Sequence, residues 1–154
     1  MNTKEILKKT IEFVKTELDG EGSGHDWFHA YRVWKNALLI AETEDADLFV
    51  IQLAALLHDI DDWKFHPKHD DLAGPNRATK WLKSLNVNSE IINHVADIIQ
   101  NLSFKGEGSE NKIRSIEGKI VQDADRLDAL GAVGKRRTEF HGGGQGDRLG
   151  ACSP

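Results

Sequence analysis

The 154-residue chain predicts an all-α protein. Three observations carry that reading. Apolar residues recur at helical spacing along most of the first 130 positions, and no stretch alternates convincingly with period two. The breaks between these segments carry the glycine, proline and Asx/Ser signals that end or start helices. No repeat of 20–50 residues is present.

The first helix is predicted over residues 3–18, where Ile6, Ile11, Phe13, Val14 and Leu18 form a stripe among lysines and glutamates. Gly20, Gly22 and Gly24 end it. A second runs from His25 or Asp26 to about Glu42, with Phe28, Val33, Ala37, Leu38 and Ile40 apolar. Asp47 opens a third, from Leu48 to about Asp61, so apolar (LFVIQLAALLHDI) that it must be buried nearly all round. Pro67 in DDWKFHPKHDD makes the next stretch a loop. Helices follow at about 74–85, at about 88–102 behind the cap candidates Asn88, Ser89 and Glu90, and from about Ile113 to Leu130. Residues 1–134 thus read as one helical domain. Residues 135–154, with Lys135-Arg136-Arg137 and a glycine run from Gly142, read as a frayed or disordered tail. Those glycines lack the Gly-Lys-Ser/Thr and the preceding strand of a phosphate-binding P-loop.

Composition narrows the function classes. A net charge of −5 argues against a general nucleic-acid-coating role, which needs a basic face. The single cysteine, Cys152, permits no internal disulfide framework, and the first 18 residues lack the apolar core of a signal peptide. No run approaches the roughly 18 apolar residues of a membrane span. The expectation is a cytoplasmic protein.

The chemistry is concentrated in four residues. His58 and Asp59 end the apolar third helix, where a polar pair needs a partner. His29 precedes them and Asp125 follows, each on another predicted helix. Imidazole and carboxylate donors without thiolate suit a divalent cation. Successive helical residues point about 100° apart, so a helix-borne His58-Asp59 pair reaches one ion only at the flank of the helix, at a junction with its neighbours. Taken singly, each residue has a plain structural explanation. A lone histidine in an apolar helix is usually a hydrogen-bonded core residue. Asp123-Ala124-Asp125-Arg126 reads equally well as a surface ion-pair cluster of little energetic weight.

Together, His29-Ala30-Tyr31-Arg32-Val33, Leu56-Leu57-His58-Asp59-Ile60 and Gln122-Asp123-Ala124-Asp125-Arg126-Leu127 resemble the HD-domain superfamily of metal-dependent phosphohydrolases, over about residues 21–134. Asp-Trp-Lys-Phe from Asp62 and Ser-Phe-Lys-Gly from Ser103 are similar to segments of the small bacterial HD proteins, some of them nucleotide pyrophosphohydrolases. The resemblance implies an HD-type helical bundle and one divalent metal ion (Mn, Mg, Ni, Fe, Co or Zn) held by His29, His58, Asp59 and Asp125. His25, four residues before His29, is the rival that could pair with it on zinc. Asp123 is the rival of Asp125, and the family pattern selects Asp125. Extra histidine ligands in the adjacent His-His form are absent, which favours a mononuclear site over the two-iron oxygenases of the same fold. His94 reads as a satisfied, partly buried histidine, and His66 and His69 as loop residues near the site.

The implied reaction is hydrolysis of a phosphoester or phosphoanhydride in a nucleotide or similar small phosphorylated metabolite. A bound cation lowers the pKa of its water from 15.7 towards about 7. Asp62 is the candidate to take up a proton or orient that water, with Asp59 as the metal-bound alternative. Arg32, Lys64 and Lys105 are the candidate phosphate-binding cations. The segment from Lys135 to Phe140 is more polar than the family pattern, which also implies an alternative: a catalytically weak or inactive HD module that binds metal or nucleotide in a regulatory role. A core left exposed by the short C-terminus would favour a homodimer.

Overall fold

The computed structural model describes residues 1–20, 26–61, 71–102 and 111–131. Six helices occupy these residues and no strand is found among them: α1 (Thr3–Glu17), α2 (Trp27–Ala41), α3 (Leu48–Leu57), α4 (Ala73–Ser84), α5 (Ser89–Leu102) and α6 (116–131). The predicted tail from residue 135 lies outside the described residues, as does most of the predicted loop before α4.

α3 is the axis of the packing, as its composition demands. Val50, Ile51 and Leu53 through Leu57 are all buried, and α1, α2 and α5 pack directly against it, while α4 packs on α5. Its start is fixed by Asp47, whose Oδ1 accepts from the backbone N–H groups of Phe49 and Val50 at 2.9 and 3.2 Å. Such a cap satisfies two of the donors a helix start leaves open. α6 contributes Ile120, Val121 and Ala124 to the same core. α1 is tied to α4 by Thr10, which is fully buried, donates to Ile6 O at 2.9 Å and accepts from the Trp81 indole N–H at 3.1 Å. Trp81 also stacks on Phe13 with ring centroids 3.9 Å apart.

Two boundaries differ from the sequence expectation. α3 ends at Leu57, and residues 58–61 form a turn in which Ile60 N donates to Leu57 O at 3.2 Å. The apolar pattern runs on because Ile60 is still buried, although the helix has stopped. At the other end, α6 starts at 116 rather than near Ile113. Ser115 supplies the cap, its Oγ accepting from Gly118 N at 3.1 Å. Ile113 is buried ahead of it, pressed so closely that a Cβ on Gly118 would lie 2.6 Å from its side chain.

Candidate metal centre

Three elements aim side chains at one point between α2, α6 and the turn after α3. Asp26 caps α2 by accepting from His29 N at 2.9 Å, which sets His29 in the first turn of that helix. His58 is the C-cap of α3, and its Nδ1 lies 2.8 Å from Ala55 O. Asp59 follows in the turn after α3, and its carboxylate lies on the same side as the His58 ring. Their facing atoms, His58 Nε2 and Asp59 Oδ2, are 3.3 Å apart. Asp125 arrives from α6.

The four donors converge. His29 Nε2 is 3.2 Å from His58 Nε2, 3.1 Å from Asp59 Oδ2 and 3.3 Å from Asp125 Oδ1. His58 Nε2 is 3.7 Å from that same Asp125 oxygen. The donor atoms of His29, His58 and Asp125 all lie within 4.8 Å of one another. An ion bound at about 2.0–2.2 Å by nitrogen and oxygen ligands has donor–donor edges of about 2.8–3.6 Å, a range that holds every one of these separations except the 3.7 Å between His58 and Asp125.

The hydrogen bonds at the far side of each ring decide what the near side offers. A carbonyl oxygen only accepts, so His58 Nδ1 carries a proton and donates to Ala55 O. His29 Nδ1 donates in the same way to Asp128 Oδ2 at 2.6 Å. In the neutral rings both Nε2 atoms are then acceptors, and they face each other beside two carboxylate oxygens. Acceptors gathered around two buried imidazoles favour a cation at their centre. The residues present therefore fit a divalent metal.

Without a metal, protons take that place. Burial opposes the charged form of His29, but its contacts with Asp125 and Asp59 outweigh this and raise its pKa to about 9. His58 is likewise opposed by burial and driven upward by Asp59 and Asp125. Asp125 is held well below the usual carboxylate range: burial works against its ionised form, and hydrogen bonds from both imidazoles prevail.

The structure places the other candidates differently. Asp123 is exposed, two positions from Asp125 on α6. His94 Nε2 is 3.5 Å from Glu117 Oε2, a contact between α5 and α6. Arg32 forks onto Asp128, Nε donating to Oδ1 at 2.6 Å and Nη2 to Oδ2 at 3.2 Å. His25, Asp62, Lys64, His66, His69 and Lys105 lie outside the described residues.

Asp128 is the functional-site residue that sequence reasoning passed over. Its carboxylate is only 8 % exposed, yet aspartate on a helix reads as surface. The available signal was spacing: Asp128 stands three residues after Asp125, as Arg32 stands three after His29, and positions i and i+3 share a helix face.

An all-helical bundle that closes two imidazoles and two carboxylates on one point defines a helical domain with a candidate divalent-metal centre. The chain belongs to the HD-domain family, whose model matches residues 27–130. The uncharacterized protein YpgQ of Bacillus subtilis is 44% identical over 138 residues, 89% of this chain and 66% of YpgQ. The chain thus spans just under two thirds of that relative. Among solved structures, an HD-superfamily hydrolase from Bacillus thuringiensis is similar with a TM-score of 0.71 and 44% identity, over 94% of this chain and 69% of that one. Bacillus subtilis YpgQ in complex with ADP gives a TM-score of 0.70 and 36% identity, over 95% of this chain and 70% of that one. Among the described residues no helix is long and apolar enough to cross a membrane.

Proposed function

We propose that the protein is a metal-dependent phosphohydrolase that hydrolyses a phosphoester or phosphoanhydride bond of a nucleotide or similar small phosphorylated metabolite. One observation carries this reading: the two Nε2 atoms 3.2 Å apart, each with its Nδ1 committed elsewhere, beside two carboxylates. The HD-superfamily hydrolase among the structural relatives supports the hydrolytic class, and the ADP complex of YpgQ supports a nucleotide as ligand.

In this reading His29, His58, Asp59 and Asp125 hold a single divalent ion. When bound, the ion supplies Lewis acidity, lowering the pKa of water and polarising a phosphoryl oxygen. The chain's own residues do the rest. His29 and His58 present unprotonated Nε2 atoms because their Nδ1 protons are anchored on Asp128 and Ala55. Asp62, directly after the turn that carries His58 and Asp59, is the proposed proton acceptor. Lys64 and Lys105 are the proposed phosphate-binding cations, whereas the third candidate, Arg32, is committed to Asp128.

The test is a hydrolysis screen of nucleoside mono-, di- and triphosphates and sugar phosphates with Mn, Mg, Co, Ni, Fe or Zn added. Release of phosphate or pyrophosphate that depends on metal supports the proposal. A folded chain that binds metal but turns over nothing in the panel overturns it in favour of a regulatory HD module.

A further inference from the structure

Two residue pairs clamp α2 to α6 beside the candidate centre. His29 and Arg32 stand three apart on α2, and Asp125 and Asp128 stand three apart on α6. One member of each pair, His29 and Asp125, contributes a donor to the centre. The other two meet each other: Asp128 accepts from Arg32 through both oxygens while also accepting from His29 Nδ1.

We propose that Asp128 and Arg32 are a positioning pair for the metal ligand His29, and that Arg32 acts through Asp128 rather than on the substrate's phosphate. The inference rests on the reading of the cluster as a metal centre. A neutral imidazole can carry its proton on either nitrogen, and the tautomer protonated at Nε2 could not bind an ion there. It can also flip, which would turn a ring carbon towards the site. A carboxylate 2.6 Å from Nδ1 prevents both and makes Nε2 the stronger ligand.

That task needs a carboxylate held in place, and Asp128, only 8 % exposed, accepts two hydrogen bonds from Arg32 and one from His29. The guanidinium suits the task because its planar fork fixes both carboxylate oxygens at once, which the point charge of a lysine cannot do. The Nε–Nη2 edge of Arg32, one of the two that can grip an oxyanion in a fork, is already occupied.

The experiment compares the full chain with Asp128→Asn, Arg32→Ala and Arg32→Lys. Each is titrated with Mn2+ alone, its folding is followed by thermal melting, and KM and kcat are measured at saturating Mn2+ on whichever phosphorylated compound the unaltered chain hydrolyses. The proposal expects the Kd for Mn2+ to weaken about 10–100-fold in Asp128→Asn and Arg32→Ala, with Arg32→Lys between them and the unaltered chain. KM at saturating Mn2+ should stay within about twofold, since binding of substrate is not what was removed. Folded Asp128→Asn with an unchanged Kd for Mn2+ overturns it. So does Arg32→Ala that raises KM alone, the signature of a direct phosphate contact. Should Asp128→Asn fail to fold, the two Arg32 variants decide the matter. An unaltered chain that binds no Mn2+ sinks the metal reading and this inference with it; Mn2+ binding insensitive to every variant sinks the positioning role alone.

Discussion

Nε2 of His29 and Nε2 of His58 face each other across 3.2 Å, each ring backed by an acceptor at Nδ1. Removing either ring, or the Asp59 carboxylate that touches both, should leave too few donors to hold the ion. For His58→Ala and Asp59→Ala, metal-dependent hydrolysis should fall by more than about 100-fold, a larger loss than is usual for residues that only support a ligand. Assays across a range of metal concentrations check this. Full activity in both variants would sink the proposed mechanism.

In the proposed mechanism protons and metal compete for the same four atoms, which gives a signed pH dependence. His29 has its pKa raised from 6.5 to about 9 in the metal-free protein. A raised pKa contributes stability that is fully present below about 6.5 and is lost as pH climbs through about 9. The thermal midpoint of the metal-free chain should therefore carry a falling contribution across that interval. Mn2+ affinity should move oppositely, strengthening as pH rises towards 9, because binding must expel the imidazolium proton. Calorimetric titrations at pH 6, 7, 8 and 9, with proton release measured in two buffers, would reveal either trend.

Much of this centre could be read from the sequence, and the reasons are physical. His29, His58 and Asp125 stand out through the resemblance of their segments to the HD family, since taken singly His58 reads as a core histidine and Asp125 as part of a surface charge cluster. Residues 58–61 were harder. Hydrophobic pattern reports burial, and Ile60 is buried in the turn as it would have been in a helix. The end of α3 at Leu57 leaves no trace in that pattern. Asp128 left only the i+3 spacing from Asp125 as a signal, because an aspartate on a helix otherwise reads as a surface residue.

Thr10 offers a stability test remote from the centre. Its hydroxyl is the acceptor for the Trp81 indole N–H and is itself fully buried. Thr10→Val keeps the shape but orphans the indole donor, which should cost about 1–3 kcal/mol. Urea unfolding should show a lower midpoint with an unchanged slope, while Mn2+ affinity stays at the level of the unaltered chain.

The exposed N-cap of α3 makes a comparable case. Asp47 Oδ1 serves two backbone donors, and Asp47 N is in turn held by Glu117 Oε1 at 3.0 Å. Asp47→Ala should destabilise the fold by about 0.5–2 kcal/mol, and Asp47→Asn by less, because an amide oxygen still accepts. Chemical denaturation of the two variants side by side distinguishes capping from simple charge removal.

The convergence of His29, His58 and Asp125 also has a topological meaning. His29 and His58 are 29 residues apart in the chain, and Asp125 closes a far longer span. An ion joining all three acts as a reversible cross-link that encloses most of the domain in closed loops, and closing long loops is where a clip removes the most freedom from the unfolded chain. The atoms proposed for hydrolysis would then also be a staple that a chelator or acid can undo.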